Sequence, residues 1–164
     1  MAGMVNQLIE ILNEQNERHT ELLGLSKEKR EAIIKNDIEH LQKITNLENL
    51  IASQSLKLER KRMALMDEIT QVLCVESGTV TLSELTNALK GQDEHGELVK
   101  AGEKIRNTLN ELAQENSTNA SLIQNALDYI EYSMNVIQTS FNQSPAAFPG
   151  GQAQEEASLF DASN

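Results

Sequence analysis

The sequence is poor in the residues that build thick globular cores. It has no Trp, its aromatic content is only 3%, and its two prolines, Pro145 and Pro149, lie close to the C-terminus. Proline interrupts helices and aromatic side chains supply much of the bulk of globular interiors, so both shortages favour long helices joined by thin layers of Leu and Ile. The 39% apolar content is sufficient for one narrow core.

Cysteine and membrane-targeting signals are equally scarce. The single Cys74 cannot form an intramolecular disulfide, so nothing indicates an oxidising compartment, and its apolar neighbours Leu73 and Val75 predict a buried thiol. The first residues contain no basic segment of the kind that begins a signal peptide, and no apolar run approaches the roughly 18 residues of a membrane span. We therefore expect a cytoplasmic protein that is not inserted into a membrane.

Basic residues are scarce in the second half of the chain. Residues 76–141 contain ten acidic and four basic side chains, and residues 142–164 contain three acidic and no basic ones. Such a charge repels nucleic-acid phosphates, so the partner surface should be neutral or basic. The basic cluster at 57–62 includes Glu59 and has no aromatic residue nearby, which favours a solvated helix face over a nucleic-acid site.

Sequence patterns of catalytic sites are also missing. The three histidines, His19, His40 and His95, do not supply the paired Glu-x-x-His motifs of a di-iron bundle. There is no glycine-rich phosphate loop and no nucleophile elbow. The sequence therefore predicts a protein that is not an enzyme and has no metal or cofactor.

The apolar residues recur at alternating steps of three and four, the period of helices packed side by side. Asp37 is a suitable N-cap and Thr81 to Glu84 forms a capping-box pattern, so we predict helices over about 3–35, 38–75, 82–90 and 97–141. The short turn at Asn36–Asp37 requires the first two helices to be antiparallel. The predicted fold is all-α: an elongated antiparallel bundle of three long helices plus one short helix over 1–141, with coiled-coil-like packing and a disordered acidic tail over 142–164.

Polar residues interrupt the apolar seam of the last helix at Asn116 and Asn119. Two interpretations remain open for this pair. Buried asparagines can fix the register of a bundle, or the bundle can be incompletely closed there and completed by a helix from a partner. The stretch from Leu122 to Phe141 is apolar on more than one face, which favours contact with more than one neighbour.

Three segments of the sequence resemble the FlgN family of flagellar type III export chaperones. They are residues 29–48 (KREAIIKNDIEHLQKITNLE), residues 58–62 (LERKR) and residues 119–130 (NASLIQNALDYI). Their order and spacing fit the family across nearly the whole chain. The resemblance implies a chaperone that binds the C-terminal helical regions of flagellar hook-filament junction proteins, prevents their premature assembly and delivers them to the membrane-bound export apparatus.

The resemblance also implies a location for client binding, in the C-terminal part of the chaperone. The matching positions in this sequence are Asn119, Leu122, Ile123, Leu127, Tyr129 and Ile130. Continuing along the same helix adds Met134, Ile137 and Phe141. The composition of the tail adds its isolated apolar residues Phe148, Leu159 and Phe160.

Two other functions are compatible with the same patterns. A structural coiled-coil spacer or adaptor would self-associate through its seams without a client, whereas a chaperone should be a monomer or a weak homodimer. The chain could also be a chaperone of another type III client, such as the filament cap.

Overall fold

The structure is a computed structural model that describes residues 1–74 and 78–142. It contains four helices in these ranges and no strand. They are α1 (Ala2–Lys35), α2 (Ile38–Val72), α3 (Leu82–Ala88) and α4 (His95–Asn142). The predicted all-α fold with three long helices and one short helix is confirmed.

Local sequence signals set the ends of the helices. Asn36 ends α1 in the left-handed conformation with φ of 55°, which asparagine tolerates better than most residues. The Asp37 side chain then accepts a hydrogen bond from the His40 backbone N–H at 3.0 Å and caps α2. Thr81 and Glu84 form the predicted capping box at the start of α3, and hydrogen bonds from Thr81 lower the pKa of Glu84.

The chain divides into two compact units, Met1–Ile123 and Gln124–Asn164. Within the first unit, α1 and α2 are antiparallel, because residues later in α1 contact residues earlier in α2. Gln15 contacts Glu59 at 2.9 Å, and Lys29 contacts Glu48 at 2.7 Å. The first part of α4 runs parallel to α1, since Asn16 contacts Thr108 and Ser26 contacts Asn116.

The main core lies where the start of α1 meets the end of α2, with α3 and the start of α4 packed against both. Its fully buried side chains include Leu8, Ile69, Leu85 and Leu98. Only Leu98, Ala101 and Asn119 are buried among all the residues of α4. Most of the length of α4 therefore makes little contribution to the core.

The prediction that the Cys74 thiol is buried is wrong, because the structure places it on the surface. Helix α2 ends at Val72, and Cys74 adopts a positive φ of 52° in the turn that follows. A residue beyond the last helical turn no longer follows the apolar stripe of its helix, so its burial cannot be extrapolated from that stripe. The described helices include none with an apolar stretch long enough to span a bilayer.

Candidate functional site

An exposed row of large apolar side chains follows one face of α4 within the second unit. We call this row the α4 stripe; it consists of Leu127, Ile130, Met134, Ile137 and Phe141. Its members recur at steps of three and four and are all more than half exposed, with Phe141 at 77%. A helix with this pattern normally packs its stripe against another helix. Among the described residues of its own unit, 124–142, the stripe therefore has no partner.

A second group of exposed apolar residues lies on another face of the same part of α4. Tyr129, Tyr132 and Val136 are all exposed, and Tyr129 reaches 72%. At about 100° of rotation per residue, these three positions are well separated from the α4 stripe. Among the candidate residues chosen from the sequence, Tyr129 belongs to this second face. Tyr132 and Val136 were not among those candidates, although their spacing of three and four with Tyr129 would have indicated them.

The remaining candidates at the start of the matching motif lie in the first unit and differ in accessibility. Leu122 is half-buried and Ile123 is exposed, whereas Asn119 is buried at 3% exposure. Asn119 Nδ2 donates to the Ser26 carbonyl at 2.8 Å and to Ser26 Oγ at 3.1 Å. The contacts of Asn119 favour the register interpretation, because they hold α4 against α1. Phe148, Leu159 and Phe160 lie outside the described residues.

A row of polar contacts attaches helix α4 to α1 after the core ends. Thr108 Oγ1 donates to Asn16 Oδ1 at 2.7 Å, and Ser26 Oγ donates to Asn116 Oδ1 at 3.0 Å. Arg30 forms an ion pair with Glu115 at 3.0 Å. Hydrogen bonds are directional, so this row of contacts sets the register between α1 and α4.

A groove remains between α2 and α4 in the first unit, with α1 as its floor. Its larger section has a volume of about 640 Å³ and a second section of about 420 Å³ shares Leu22, Ala52 and Leu112 with it, so the two are continuous. We call this feature the α2–α4 groove. Its apolar lining includes Leu12 and Leu22 from α1, Ala52 and Leu56 from α2, and Ile105, Leu109, Leu112 and Ile123 from α4.

One end of the groove is lined by a polar cluster. Gln15 Nε2 donates to Glu59 at 2.9 Å, and Arg62 makes two hydrogen bonds to the same carboxylate. The Arg62 hydrogen bonds are the main reason that the pKa of Glu59 falls to about 2. Burial lowers the pKa of neighbouring His19 from 6.5, against the opposing effects of the Gln15 carbonyl and the Glu59 charge. The cluster is therefore internally neutralised at pH 7.

Three buried side-chain atoms in the described ranges lack a hydrogen-bond partner of good geometry, and all three belong to residues that line this groove. They are His19 Nδ1, Ser55 Oγ and Asn119 Oδ1. A buried polar atom without a partner costs about 1–3 kcal/mol. The groove is thus less completely packed than the core at the other end of the unit.

The described residues offer no cluster of three or more His, Cys, Asp or Glu side chains arranged to hold a metal ion. The structure presents separate helix surfaces: the α4 stripe and the second apolar face of α4 in the second unit, and the α2–α4 groove in the first. Surfaces of these kinds bind other helices.

Comparison with known proteins gives a family for the chain. No curated protein and no solved structure matches it significantly. The family described as FlgN protein matches residues 1–154, which is nearly the whole sequence. That family consists of chaperones of flagellar export rather than enzymes. The chain, with its bundle of long helices and its exposed apolar stripe, belongs to the FlgN family of flagellar export chaperones.

Proposed function

We propose that this chain is a cytoplasmic chaperone of the flagellar hook-filament junction proteins. It binds their C-terminal helical regions through the C-terminal part of α4, which keeps these subunits from assembling before export. It then delivers them to the membrane-bound export apparatus. The family supports a role in flagellar export, and the α4 stripe supports the location of the binding surface.

The observation that carries the proposal is the exposure of the α4 stripe. Its residues span 127–141, which is about 21 Å of helix. Isolated surface leucines are common in soluble proteins, but a contiguous row of large apolar side chains at helical spacing marks a binding surface. A client helix that lays its own apolar stripe along α4 would remove both surfaces from water.

The charge of α4 restricts the chemistry of the client helix. Asp128 and Glu131 are the only charged residues in 124–142, and no Lys, Arg or His occurs anywhere after Arg106. A helix whose flanks are neutral or basic would be attracted to this part of α4, and an acidic one repelled. We therefore expect client segments with Lys or Arg beside their apolar stripe. Contacts of this kind require no cofactor, so release would depend on other components.

The change Ile130→Asp tests the proposal. Ile130 is 56% exposed, so the fold does not depend on its burial, but it lies inside the α4 stripe. A carboxylate there would be desolvated against the client helix, and we expect client affinity to fall at least about tenfold. The measurement is isothermal titration calorimetry of the full chain with purified junction proteins, with circular dichroism to verify helix content.

Asn135→Asp is the matched control, since it adds the same charge to α4 at an exposed position outside the stripe. It should leave client affinity within about twofold of wild type. Wild-type client affinity in the Ile130→Asp variant, with its helices intact, would contradict the proposed binding surface. Failure of the wild-type chain to bind any junction protein would contradict the proposed client class.

A further inference from the structure

We propose that Met134 is a site of reversible oxidation, and that its conversion to the sulfoxide weakens client binding. The affinity of the chaperone for its clients then depends on the redox state of one thioether. The accessibility of the Met134 sulfur stands on the structure alone. Its effect on binding rests on the proposed function, in which the client covers the α4 stripe.

The chain contains few side chains that a peroxide oxidises readily. It has five methionines, one cysteine and no Trp, so the thioether and thiol sulfurs are the main targets. Met66 is 3% exposed and belongs to the core, whereas Met134 and Met63 are 53% and 56% exposed. Because oxidation follows exposure, Met134 and Met63 should react well before Met66.

Met134 is the central member of the α4 stripe. Two stripe residues precede it and two follow, and the stripe extends about 10 Å along the helix on either side of it. Peroxide does not oxidise the other four members, Leu127, Ile130, Ile137 and Phe141. Water is excluded most completely at the centre of an interface, and single side chains contribute most to affinity there. Oxidation of Met134 therefore changes the stripe at its most sensitive position.

The reaction transfers one oxygen atom to the sulfur. The thioether of Met134 attacks one oxygen of hydrogen peroxide, the O–O bond breaks and an S–O bond forms. The proton on the attacked oxygen passes to the departing hydroxide, which leaves as water. The sulfur is oxidised by two electrons and the peroxide is reduced by two. The product is a polar side chain, and methionine sulfoxide reductases convert it back to the thioether.

The new oxygen is a hydrogen-bond acceptor that its neighbours in the stripe do not satisfy. One turn away on either side lie Ile130 and Ile137, whose side chains offer no donor. Water solvates the sulfoxide in the free chain, but an apolar client helix would displace that water. Burial of a polar atom without a partner is unfavourable. We therefore expect client affinity to fall about tenfold on oxidation.

Met63 provides a matched control for Met134. Its exposure is almost equal, but it lies on α2, outside the stripe. The test uses the full chain in a Cys74→Ser background, because the exposed Cys74 thiol also reacts with peroxide. Three chains are compared: the background alone, the background with Met134→Leu, and the background with Met63→Leu. Leu has a volume similar to that of Met and contains no sulfur.

Each chain is treated with hydrogen peroxide until peptide mass spectrometry shows that its exposed methionines are sulfoxides. Affinity for purified junction proteins is measured before and after by isothermal titration calorimetry, with circular dichroism to verify helix content. We expect oxidation to lower the affinity of the background and Met63→Leu chains about tenfold, and that of the Met134→Leu chain by less than about twofold. Methionine sulfoxide reductases should restore the affinity that is lost. Equal losses in all three chains would overturn the inference, as would unchanged affinity after complete oxidation of Met134.

The rates of oxidation separate this inference from the proposed function. In the free chain, Met134 and Met63 should be oxidised at similar rates, and a saturating junction protein should slow the oxidation of Met134 alone. A Met134 that stays reduced in the free chain while Met63 is oxidised would overturn the accessibility of its sulfur. An untreated chain that binds no junction protein would contradict the proposed function, and with it the effect on client binding, even where Met134 is oxidised as expected.

Discussion

Asn119 occupies a position in the α4 seam where a bundle ordinarily places Leu or Ile. Its amide donates two hydrogen bonds to Ser26, one to the carbonyl and one to the hydroxyl. The hydroxyl in turn donates to Asn116. These hydrogen bonds specify one alignment of α4 on α1. They leave one buried oxygen, Asn119 Oδ1, without a partner, which lowers the free energy of unfolding.

Replacing Asn119 tests this role. We expect Asn119→Ala to lower the free energy of unfolding by about 1–3 kcal/mol, because the Ser26 groups lose their donor and a small cavity forms. Urea denaturation followed by circular dichroism measures the change. Asn125→Ala, at an exposed position of the same helix, should change it by less than about 0.5 kcal/mol. Equal stability of the two variants would contradict the structural role of Asn119.

His19 and Glu59 both make the free energy of unfolding decrease as the pH falls. Burial lowers the pKa of His19 from 6.5, so its contribution is fully present above that value and is lost as the pH falls below it. The pKa of Glu59 falls from 4.5 to about 2, so its contribution is present above 4.5 and disappears as the pH approaches 2. Partial exposure of the Glu59 side chain reduces the size of the second effect.

Acid denaturation provides the measurement for both residues. We expect the unfolding free energy of the wild type to fall below pH 6.5 and again below pH 4.5. His19→Gln should flatten the first decrease and Glu59→Gln the second. Profiles parallel to that of the wild type in both variants would contradict the assignment of these decreases to the polar cluster of the groove.

At the scale of the helices, α4 changes its role along its length. Its first turns contribute Leu98 and Ala101 to the core, and residues 108–119 are attached to α1 by hydrogen bonds and an ion pair. Residues 124–142 are exposed apart from the half-buried Ser133. Few tertiary contacts hold this part of α4, so we expect its local stability to be lower than that of the core helices and to rise when a partner covers it.

Hydrogen exchange should reveal this difference directly. At concentrations where the chain is monomeric, we expect backbone amides in 124–142 to exchange far faster than those in residues 5–12 of α1, which contribute to the core. Addition of a junction protein should slow exchange in 124–142. Strong protection of this segment in the monomer, or no change on adding a client it binds, would contradict the assignment of α4 as the binding element.

At the scale of the whole molecule, packing and charge are distributed unevenly along the chain. The main core brings the start of α1, the end of α2, α3 and the start of α4 together. Negative charge concentrates after residue 76, and basic residues end at Arg106. The best-packed region is therefore separate, in sequence, from the exposed apolar stripe. This separation allows a binding surface to remain marginally stable while the core holds the fold.

The sequence by itself determined the helical fold, the two predicted caps and the family. These properties are local or periodic: Asp37, Thr81 and Glu84 act within one turn, and steps of three and four indicate which residues share a helix face. The stripe residues Leu127 to Phe141 could be recognised for the same reason. The burial of Cys74 is not a local property, and the prediction of a buried thiol was wrong.

Only the tertiary structure decided which seam residues face a neighbour and which face water. Asn116 and Asn119 look equivalent in the sequence, yet Asn119 is buried and Asn116 is exposed. Leu50 and Leu56 both lie on α2, but only Leu56 lines the groove. The periodicity of one helix defines its faces without saying how many neighbours cover them. That number depends on contacts between residues as far apart in sequence as Ser26 and Asn119, which no local pattern encodes.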